Sequence, residues 1–354
     1  MKPVGVAIVG TGYWGPNLFR NFLGSESAEL RWVCDLVGDR ARKVVGRYST
    51  VAVTESIEEV LADPEVEAVA LATPARTHGW LGMACLDAGK HLLVEKPLAS
   101  SVTEGEKLVA AAAEHGLVLM CDHTYCYTPA VRKLRELVAS GVLGDIQYVD
   151  SVRINLGLVQ PDIDVFWDLA PHDLSILDYV LGTTFSPRAV AAQGADPIGA
   201  GRPCVGYLSL PLPGNAIAHV HVNWLSPTKT RTMIVGGSKR VVVWDDLNPS
   251  QRLSMYDRGV DLGGNLENGQ REAAVKEQLM ISYRVGEMIA PALRETEALQ
   301  GVVSEFTGAI RNGTVPVTDG ESGLRVLRVL EATTASLDRE GALVSLDYRR
   351  EVDR

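Results

Sequence analysis

Residues 4–15, VGVAIVGTGYWG, set the tightest limit on what this chain can fold into. A continuous apolar run, typical of a strand buried on both faces, ends in Gly10, Gly12 and Gly15, spaced G-x-G-x-x-G. The spacing alone is weak evidence, but here it follows a predicted strand and precedes a helix predicted near Pro16–Leu23. That context is the one a dinucleotide-binding turn requires. Gly10 would allow the tight turn, Gly12 the approach of a pyrophosphate, and Gly15 close packing of helix on strand.

The same alternation of strand and helix continues as far as residue 122. Further apolar runs predict strands at Leu30–Cys34, Ala68–Ala72, His91–Val94 and Leu117–Cys121, each separated from the next by a helical stretch. Buried strands alternating with helices indicate a parallel sheet covered on both faces. We therefore predict an α/β fold that begins with a doubly wound Rossmann domain over residues 1–122.

After residue 122 the pattern changes to long segments in which apolar and polar residues alternate. Such segments are typical of an antiparallel sheet with one face covered. Residues 123–354 are predicted to form an α+β domain with a large, mostly antiparallel sheet, which would bind substrate and mediate oligomerisation. Gly259–Gln270 is predicted to be a surface loop, and helices around Glu297–Arg311 and Glu321–Arg339 close the chain.

Composition excludes several classes of protein. The formal net charge of −10 argues against a nucleic-acid partner. The chain contains no run that approaches the ~18 apolar residues of a membrane span. Five cysteines without a CxxC pair indicate buried, reduced thiols, and hence a cytoplasmic protein. No membrane partner and no metal site are predicted.

Asp35 ends the second predicted strand twenty positions after Gly15, where a carboxylate can accept a hydrogen bond from a ribose 2′-hydroxyl. A 2′-phosphate would meet a like charge there, which favours NAD over NADP. NADP stays possible because Arg40 and Arg42 follow closely.

Other candidates for cofactor contacts lie in the glycine turn and at the carboxyl ends of later strands, where ligands of open α/β sheets bind. These are Tyr13, Trp14, Thr73, Pro74, His78, Glu95 and Lys96. Thr73 and Pro74 are equally compatible with an ordinary turn, and His78 with a capping or packing residue.

Lys96 follows the apolar run Leu92–Val94 and precedes Pro97. An ammonium group at this position can hydrogen-bond a substrate oxygen and stabilise negative charge that develops on it. Glu95 would position the lysine or pair with it.

The segment VFWDLAPHDLSILDYVLG, residues 165–182, predicts a helix that begins near Asp168. Asp168 and His172 would then lie on one face, with Pro171 in the first turn. The dipole at the helix N-terminus would lower the pKa of His172, while Asp168 would oppose that shift and select the tautomer. A neutral histidine of this kind is suited to act as a general base. The alternative is that Asp168 caps the helix and His172 is packed.

Taken together, GTGYWG, Asp35, TPARTH, GKHLLVEKPL and WDLAPHD resemble the Gfo/Idh/MocA (glucose–fructose oxidoreductase / inositol dehydrogenase) family over essentially the whole chain. The resemblance implies that Lys96 contacts the reacting oxygen and that Asp168 and His172 form the base pair. Ala170-Pro171 stands where many members have a glycine-rich or Gly-Val sequence. Several segments are similar to a subgroup linked to nucleotide-sugar, amino-sugar and cyclitol pathways.

The resemblance also implies where a sugar-like substrate would bind, between the first sheet and the second domain. The candidate substrate residues, beside Lys96, Asp168 and His172, are His123, Tyr125, Arg153, Asn155, Trp167, Lys229 and Arg231. Several have an ordinary alternative: domain-junction packing for His123 and Tyr125, a solvated face or subunit contact for Lys229 and Arg231, and packing for Trp167. A homodimer or homotetramer through Ile217–Leu225 and Arg231–Val235 is expected.

The resulting hypothesis is an NAD(P)-dependent dehydrogenase that transfers hydride between the nicotinamide and a secondary alcohol or ketone of a sugar, nucleotide sugar or cyclitol. Two alternatives are an NAD-dependent hydrolase or lyase that acts through transient oxidation, and a non-catalytic NAD-binding sensor. A sensor would be expected to lose Lys96 and His172, which are both present.

Overall fold

A computed structural model describes residues 2–46, 50–262 and 281–346. Residues 263–270 of the predicted loop lie outside this range. Within the described residues, no helix is both long enough and apolar enough to cross a membrane. All five cysteines are buried and unpaired, as predicted.

The N-terminal half is a parallel sheet of six strands in the order β3-β2-β1-β4-β5-β6. Its strands are β1 Val4–Val9, β2 Ala28–Cys34, β3 Ala52–Thr54, β4 Ala68–Leu71, β5 His91–Glu95 and β6 Leu119–Asp122. Its helices are α1 Gly15–Leu23, α2 Gly38–Val45, α3 Ile57–Ala62, α4 His78–Asp87 and α5 Val102–Glu114. This strand order is that of a doubly wound dinucleotide-binding fold, as predicted.

The order of the strands reverses between β1 and β4, which pair side by side in the middle of the sheet. Ligands of such sheets bind in the crevice outside the carboxyl ends of the strands at this switch point. The turns after β1, β2, β4, β5 and β6 all open onto this edge, and they carry most of the predicted cofactor residues.

The second half is a mostly antiparallel sheet of nine strands in the order β14-β13-β12-β11-β7-β10-β9-β8-β15. Its strands are β7 Ile146–Leu156, β8 Ala189–Ala195, β9 Val205–Pro211, β10 Ile217–Asn223, β11 Leu225–Gly237, β12 Val241–Asp245, β13 Leu253–Leu262, β14 Ile281–Ile289 and β15 Val344–Ser345. Its helices are α6 Pro129–Ala139, α7 Val165–Leu181, α8 Ala298–Asn312 and α9 Gly320–Leu337. The pair β7–β10 is parallel. The predicted loop is wrong at Gly259–Leu262, which continue strand β13 in register with β14.

Helix α7 carries two predicted site residues, and its position on the sheet is set by its first turn. Asp164 caps the helix through its carboxylate, which accepts hydrogen bonds from the backbone N–H groups of Phe166 at 2.9 Å and Trp167 at 3.0 Å. Phe166 is fully buried against β9, where a side chain at Gly206 would overlap its ring. A glycine in the strand therefore lets the helix lie close to the sheet.

The expectation that α7 begins near Asp168 is wrong, because Asp164 rather than Asp168 is the cap. The helix begins at Val165, and Pro171 lies inside it instead of in its first turn. Pro171 has no N–H to donate to the carbonyl of Trp167 four residues earlier. The start of the helix is therefore held by fewer backbone hydrogen bonds just where Asp168 lies.

Candidate active site

The three glycines of the first turn meet three different steric demands. Gly10 has a φ of 96°, and a Cβ there would lie 2.7 Å from the carbonyl oxygen of Ala72 on the neighbouring turn. A Cβ at Gly15 would overlap the carbonyl oxygen of Gly10. A Cβ at Gly12, by contrast, would meet no atom of the described residues within 4 Å. The turn thus combines two tightly packed glycines with one that faces open space beside the N-terminus of α1, as a bound pyrophosphate requires.

Tyr13 and Trp14, between these glycines, have different surroundings. Tyr13 is almost fully exposed. The indole Nε1 of Trp14 lies 3.5 Å from a carboxylate oxygen of Asp122 at the end of β6. Trp14 therefore reaches from the turn after β1 to the end of β6. It lies at the edge of the sheet where the cofactor residues were predicted.

Asp35 is tied to the glycine turn. Its Oδ2 accepts hydrogen bonds from the backbone N–H of Thr11 at 2.7 Å and from the Thr11 hydroxyl at 2.6 Å, and its Oδ1 accepts one from Val37 at 2.9 Å. Burial opposes the charge, but these hydrogen bonds, with Arg40 nearby, hold the pKa of Asp35 below its ordinary value. A carboxylate has about four acceptor sites, so a ribose hydroxyl can still bind.

His78 is a buried link between two turns. One ring nitrogen lies 2.8 Å from the carbonyl oxygen of Pro97 and the other 2.8 Å from that of Thr73. Burial lowers the pKa of His78. Both nitrogens face backbone carbonyls, to one of which a neutral imidazole can donate. This position favours a role in holding the Thr73-Pro74 and Lys96-Pro97 turns over direct contact with a cofactor.

Lys96 and Asp168 join the two halves of the molecule. The Lys96 Nζ donates to the backbone carbonyl of Asp168 at 2.7 Å and to its carboxylate Oδ1 at 3.2 Å. The other carboxylate oxygen accepts a hydrogen bond from the indole Nε1 of the buried Trp224 at 3.0 Å. Since an ammonium group has three N–H donors, one remains for a substrate oxygen.

The expected hydrogen bond between Asp168 and His172 is not formed, because the Asp168 carboxylate is taken up by Lys96 and Trp224. The Nδ1 of His172 is buried without a hydrogen-bond partner among the described residues. Burial lowers the pKa of His172 well below its ordinary value, and the positive charges of Lys96, Arg153 and Arg231 lower it further. His172 is therefore neutral near pH 7 as predicted, although burial and neighbouring cations are the cause, and the helix N-terminus is not.

Glu95 and Asp122 form a buried acidic pair at the ends of β5 and β6, where they are opposite each other in register. Burial raises the pKa of Glu95 well above its ordinary value, and the nearby Asp122 raises it further. Asp122 accepts a hydrogen bond from the Thr124 hydroxyl at 2.7 Å. Burial and Asp122 therefore disfavour the charged form of Glu95, and the Nζ of Lys96 donates to Asp168 instead of to Glu95.

His123 is 1% exposed, and neither ring nitrogen has a hydrogen-bond partner among the described residues. Burial, helped by the charge of Lys96, lowers the pKa of His123 to about 3. A buried polar atom without a partner costs about 1–3 kcal/mol, so the residue is a source of instability unless a ligand or a rearrangement satisfies it.

Tyr125 is the centre of a cluster of rings and charges next to His172. The two rings meet edge to face with their centroids 5.1 Å apart, and Trp244 approaches Tyr125 from 6.0 Å. The guanidinium carbon of Arg153 lies 4.4 Å from the centroid of the Tyr125 ring, and that of Arg231 lies 5.8 Å from it.

The remaining substrate candidates are dispersed. Trp167 donates its indole N–H to the Thr334 hydroxyl on α9 at 3.0 Å, which ties α7 to α9. Asn155 lies near Gly157 and Trp224, at the end of β7. Lys229 is exposed in a stretch of β11 where the pairing with β7 shifts register. Trp167 and Lys229 are therefore not among the side chains around His172.

Two further residues hold the cluster in place, and the partners of neither were predicted from the sequence. Asp173 binds both Arg153 Nε at 2.7 Å and Nη2 at 3.2 Å, and Trp224 holds Asp168. Asp173 directly follows His172 on a buried helix, where a charged side chain needs a partner. The predicted burial of Asp173 could have indicated that it binds a cation. No feature of the nearby sequence indicates that Trp224 donates to Asp168.

The dependence of stability on pH tests whether His123 is held neutral. Its pKa is about 3 in the folded protein, against an ordinary value of 6.5, so between these values the unfolded chain binds one more proton there. The stability that neutral His123 gives is present above pH 6.5 and lost as the pH falls. We expect the His123→Asn variant to reduce the slope of unfolding free energy against pH by about 1.4 kcal/mol per pH unit between about pH 6 and 4.

Chemical denaturation at several pH values measures this slope. The surface variant His115→Asn is the matched control for the loss of a histidine. Equal slopes for the wild type and His123→Asn would contradict the prediction, whatever the change in stability at pH 7.

Comparisons with known proteins agree with this geometry. A family model described as "Oxidoreductase family, NAD-binding Rossmann fold" matches residues 4–123, and a model of the "GFO/IDH/MocA C-terminal domain" matches residues 131–243. The chain is 27% identical over 323 residues to UDP-N-acetylglucosamine 3-dehydrogenase of Acidithiobacillus ferrooxidans, covering 90% of this chain and 93% of that protein.

Two further similarities extend the comparison. The chain is 31% identical over 163 residues to 2,7-anhydro-N-acetylneuraminate hydratase of Mediterraneibacter gnavus, covering 46% of this chain and 43% of that protein. The crystal structure of GenD2 from gentamicin A biosynthesis in complex with NAD has a TM-score of 0.80 and 26% identity, and covers 98% of this chain and 97% of that one. Three other curated relatives are matched over 61%, 58% and 47% of their lengths.

The two models match in chain order, and between them they contain the glycine turn, Asp35, Lys96, Asp168 and His172. This chain belongs to the Gfo/Idh/MocA family of oxidoreductases with an NAD-binding Rossmann fold.

Proposed function

We propose that the protein is an NAD-dependent dehydrogenase that oxidises a CH–OH group of a sugar, a nucleotide sugar or a cyclitol, or reduces the corresponding ketone. The observation that carries the proposal is the meeting of Lys96 from the first domain with Asp168 from the second, one helical turn from the neutral His172. The nicotinamide, when bound, supplies the acceptor or donor of hydride.

The chain's own residues handle the proton and the oxygen. The third N–H of Lys96 would donate to the reacting oxygen and stabilise the negative charge that develops on it. His172, neutral near pH 7, would take the hydroxyl proton at Nε2 and return it in the reverse reaction.

Asp168 has a different role here from the one expected from the sequence. Its carboxylate is the counter-charge of Lys96, and its backbone carbonyl fixes the direction of the amine. Trp224 holds the carboxylate in place. Asp168 would therefore act through Lys96 and would not orient His172.

A second candidate reaction on the same residues is NAD-dependent elimination or hydration through transient oxidation. We consider this second reaction because the chain is similar to a protein named as a hydratase. A reaction of this kind gives no net change in nicotinamide absorbance and converts substrate without added oxidant, which separates it from simple dehydrogenation.

We also propose that the protein is a homodimer or homotetramer through the uncovered face of its large sheet. Tyr207, Ile217 and His221 lie on that face, and Tyr207 stacks on His221 with ring centroids 4.4 Å apart. Tyr207 and Ile217 are 44% and 48% exposed. Light scattering in solution would test this assembly.

Substitution of Lys96 and His172 tests the catalytic assignment. We expect Lys96→Met and His172→Asn each to lower kcat at least about 100-fold, because each removes a group that acts on the reacting oxygen. Affinity for NAD should change little. Turnover is measured from the change in nicotinamide absorbance with a panel of sugars, nucleotide sugars and inositols.

Lys107→Met and His115→Asn make the same chemical changes at exposed positions of the first domain and serve as controls. If Lys96→Met and His172→Asn both keep kcat within about tenfold of the wild type, the assignment fails.

Gly12 and Gly15 make a matched pair that separates cofactor binding from folding. Gly12→Ala adds a methyl group in open space, so we expect unchanged stability but weaker NAD binding, because the methyl occupies the approach of the pyrophosphate. Gly15→Ala forces a methyl group against the Gly10 carbonyl and should destabilise the fold. Denaturation and NAD titration measure both effects, and tight NAD binding by Gly12→Ala would refute this use of the turn.

The preference for NAD should depend on the charge of Asp35. We expect Asp35→Asn to lower the ratio of kcat/KM for NAD to that for NADP about tenfold or more, because the repulsion of a 2′-phosphate is removed. Asp39→Asn, at an exposed position on α2, is the control. An unchanged ratio in Asp35→Asn would mean that another residue selects the cofactor.

A further inference from the structure

Two arginines lie side by side on the wall of the proposed substrate site. Arg153 on β7 and Arg231 on β11 are paired directly across the antiparallel strands, so they point to the same face of the sheet. Like charges in this position destabilise a sheet. In a chain with a formal net charge of −10, such a pair calls for a specific explanation.

The two guanidinium groups differ in how they are neutralised. Arg153 is 3% exposed and forms a two-pronged ion pair with Asp173. Arg231 is 29% exposed in its side chain and contacts Asp246 through Nη1 alone, at 3.4 Å. Among the described residues, its Nε and Nη2 have no hydrogen-bond acceptor. Arg153 is thus a fixed part of the wall, whereas Arg231 has donors to spare.

Arg231 is also close to the reacting centre. Its guanidinium carbon lies 5.8 Å from the centroid of the Tyr125 ring, and the ring of His172 lies 5.1 Å from the same centroid. A ligand bound to Arg231 would therefore be separated from the proposed base by one aromatic side chain.

We propose that the substrate carries an anionic oxygen group, a carboxylate or a phosphate, that binds Arg231 while its reacting hydroxyl lies at Lys96 and His172. This inference rests on the proposed dehydrogenase function and narrows its substrate to acidic sugars or sugar phosphates. Both anions fit because a guanidinium group offers parallel N–H donors to two oxygens at once. Arg231 would be a specificity-determining residue, and Arg153 a positioning residue that holds Tyr125.

An anion bound to Arg231 would also affect the pKa of His172. The positive charges of Lys96, Arg153 and Arg231 all disfavour protonation of His172, in addition to its burial. Asp168 and Asp173 form ion pairs with the first two, whereas Asp246 contacts the third through one nitrogen only, at 3.4 Å. An anion on Arg231 would offset the third and make it easier for His172 to accept the hydroxyl proton. A neutral sugar would not provide this help.

The test compares matched neutral and anionic compounds on the NAD-saturated full-length protein. The pairs are D-glucose with D-glucuronate, D-glucose with D-glucose 6-phosphate, and N-acetyl-D-glucosamine with N-acetyl-D-glucosaminuronate. Binding is measured by calorimetry and turnover by nicotinamide absorbance. In at least one pair, we expect the wild type to prefer the anionic member at least tenfold.

Variants identify the residue responsible. Arg231→Met should abolish this preference in binding by weakening the anionic compound about 10- to 100-fold. Lys239→Met removes the same charge at an exposed position beyond β11 and should keep the preference. If Arg231→Met weakens binding of the carboxylates more than that of glucose 6-phosphate, the substrate is uronate-like. If it weakens binding of glucose 6-phosphate more, the substrate is a sugar phosphate.

The inference is overturned if no anionic compound is preferred, or if Arg231→Met keeps the preference. The proposed function fails separately, if the wild type changes nicotinamide absorbance with no sugar in the wider panel. Turnover of neutral sugars alone would preserve the dehydrogenase and remove the anionic substrate.

Discussion

The ion pair between Lys96 and Asp168 is the interaction on which the site depends. It joins the turn after β5 to helix α7, across 72 positions of sequence, through one hydrogen bond to a carbonyl and one to a carboxylate. Both side chains are less than one fifth exposed, so each charge would be costly to leave unpaired. The contact therefore holds the turn after β5 against α7 and fixes the position of the lysine itself.

Much of this geometry follows from how α7 is held. Asp164 starts the helix, the ring of Phe166 lies against Gly206 on the sheet, and Pro171 removes one backbone hydrogen bond next to Asp168. These features concern backbone and packing, and none involves the reaction. Together they direct the carbonyl and carboxylate of Asp168 towards the first domain, and they leave His172 one turn further on without a carboxylate partner.

The Rossmann half could be predicted from the sequence because its signals are local. Each buried strand is a continuous apolar run, and the glycine spacing specifies the turn. The prediction for the start of α7 was wrong because Asp164 and Asp168 are both good caps, and the packing of Phe166 against the sheet, which accompanies the Asp164 cap, is not a local signal. The order of the large sheet depends on pairings between distant segments, such as the parallel contact of β10 with β7, and no local pattern encodes these. The partner of Asp168 could not be predicted for the same reason, since Lys96 and Trp224 are remote from it in sequence.

The electrostatics of the site follow from the pairing of Asp168 with Lys96. If Asp168 bound His172, the imidazole would have an anion to stabilise its protonated form, as in other acid–base pairs. With Asp168 committed to Lys96, and Asp173 to Arg153, His172 is buried among cations and stays neutral. A base of this kind takes up a proton more readily when the surrounding positive charge is reduced, and a bound anionic substrate is one way to reduce it. The same arrangement that makes His172 a weak base on its own would thus make its strength depend on which substrate is bound.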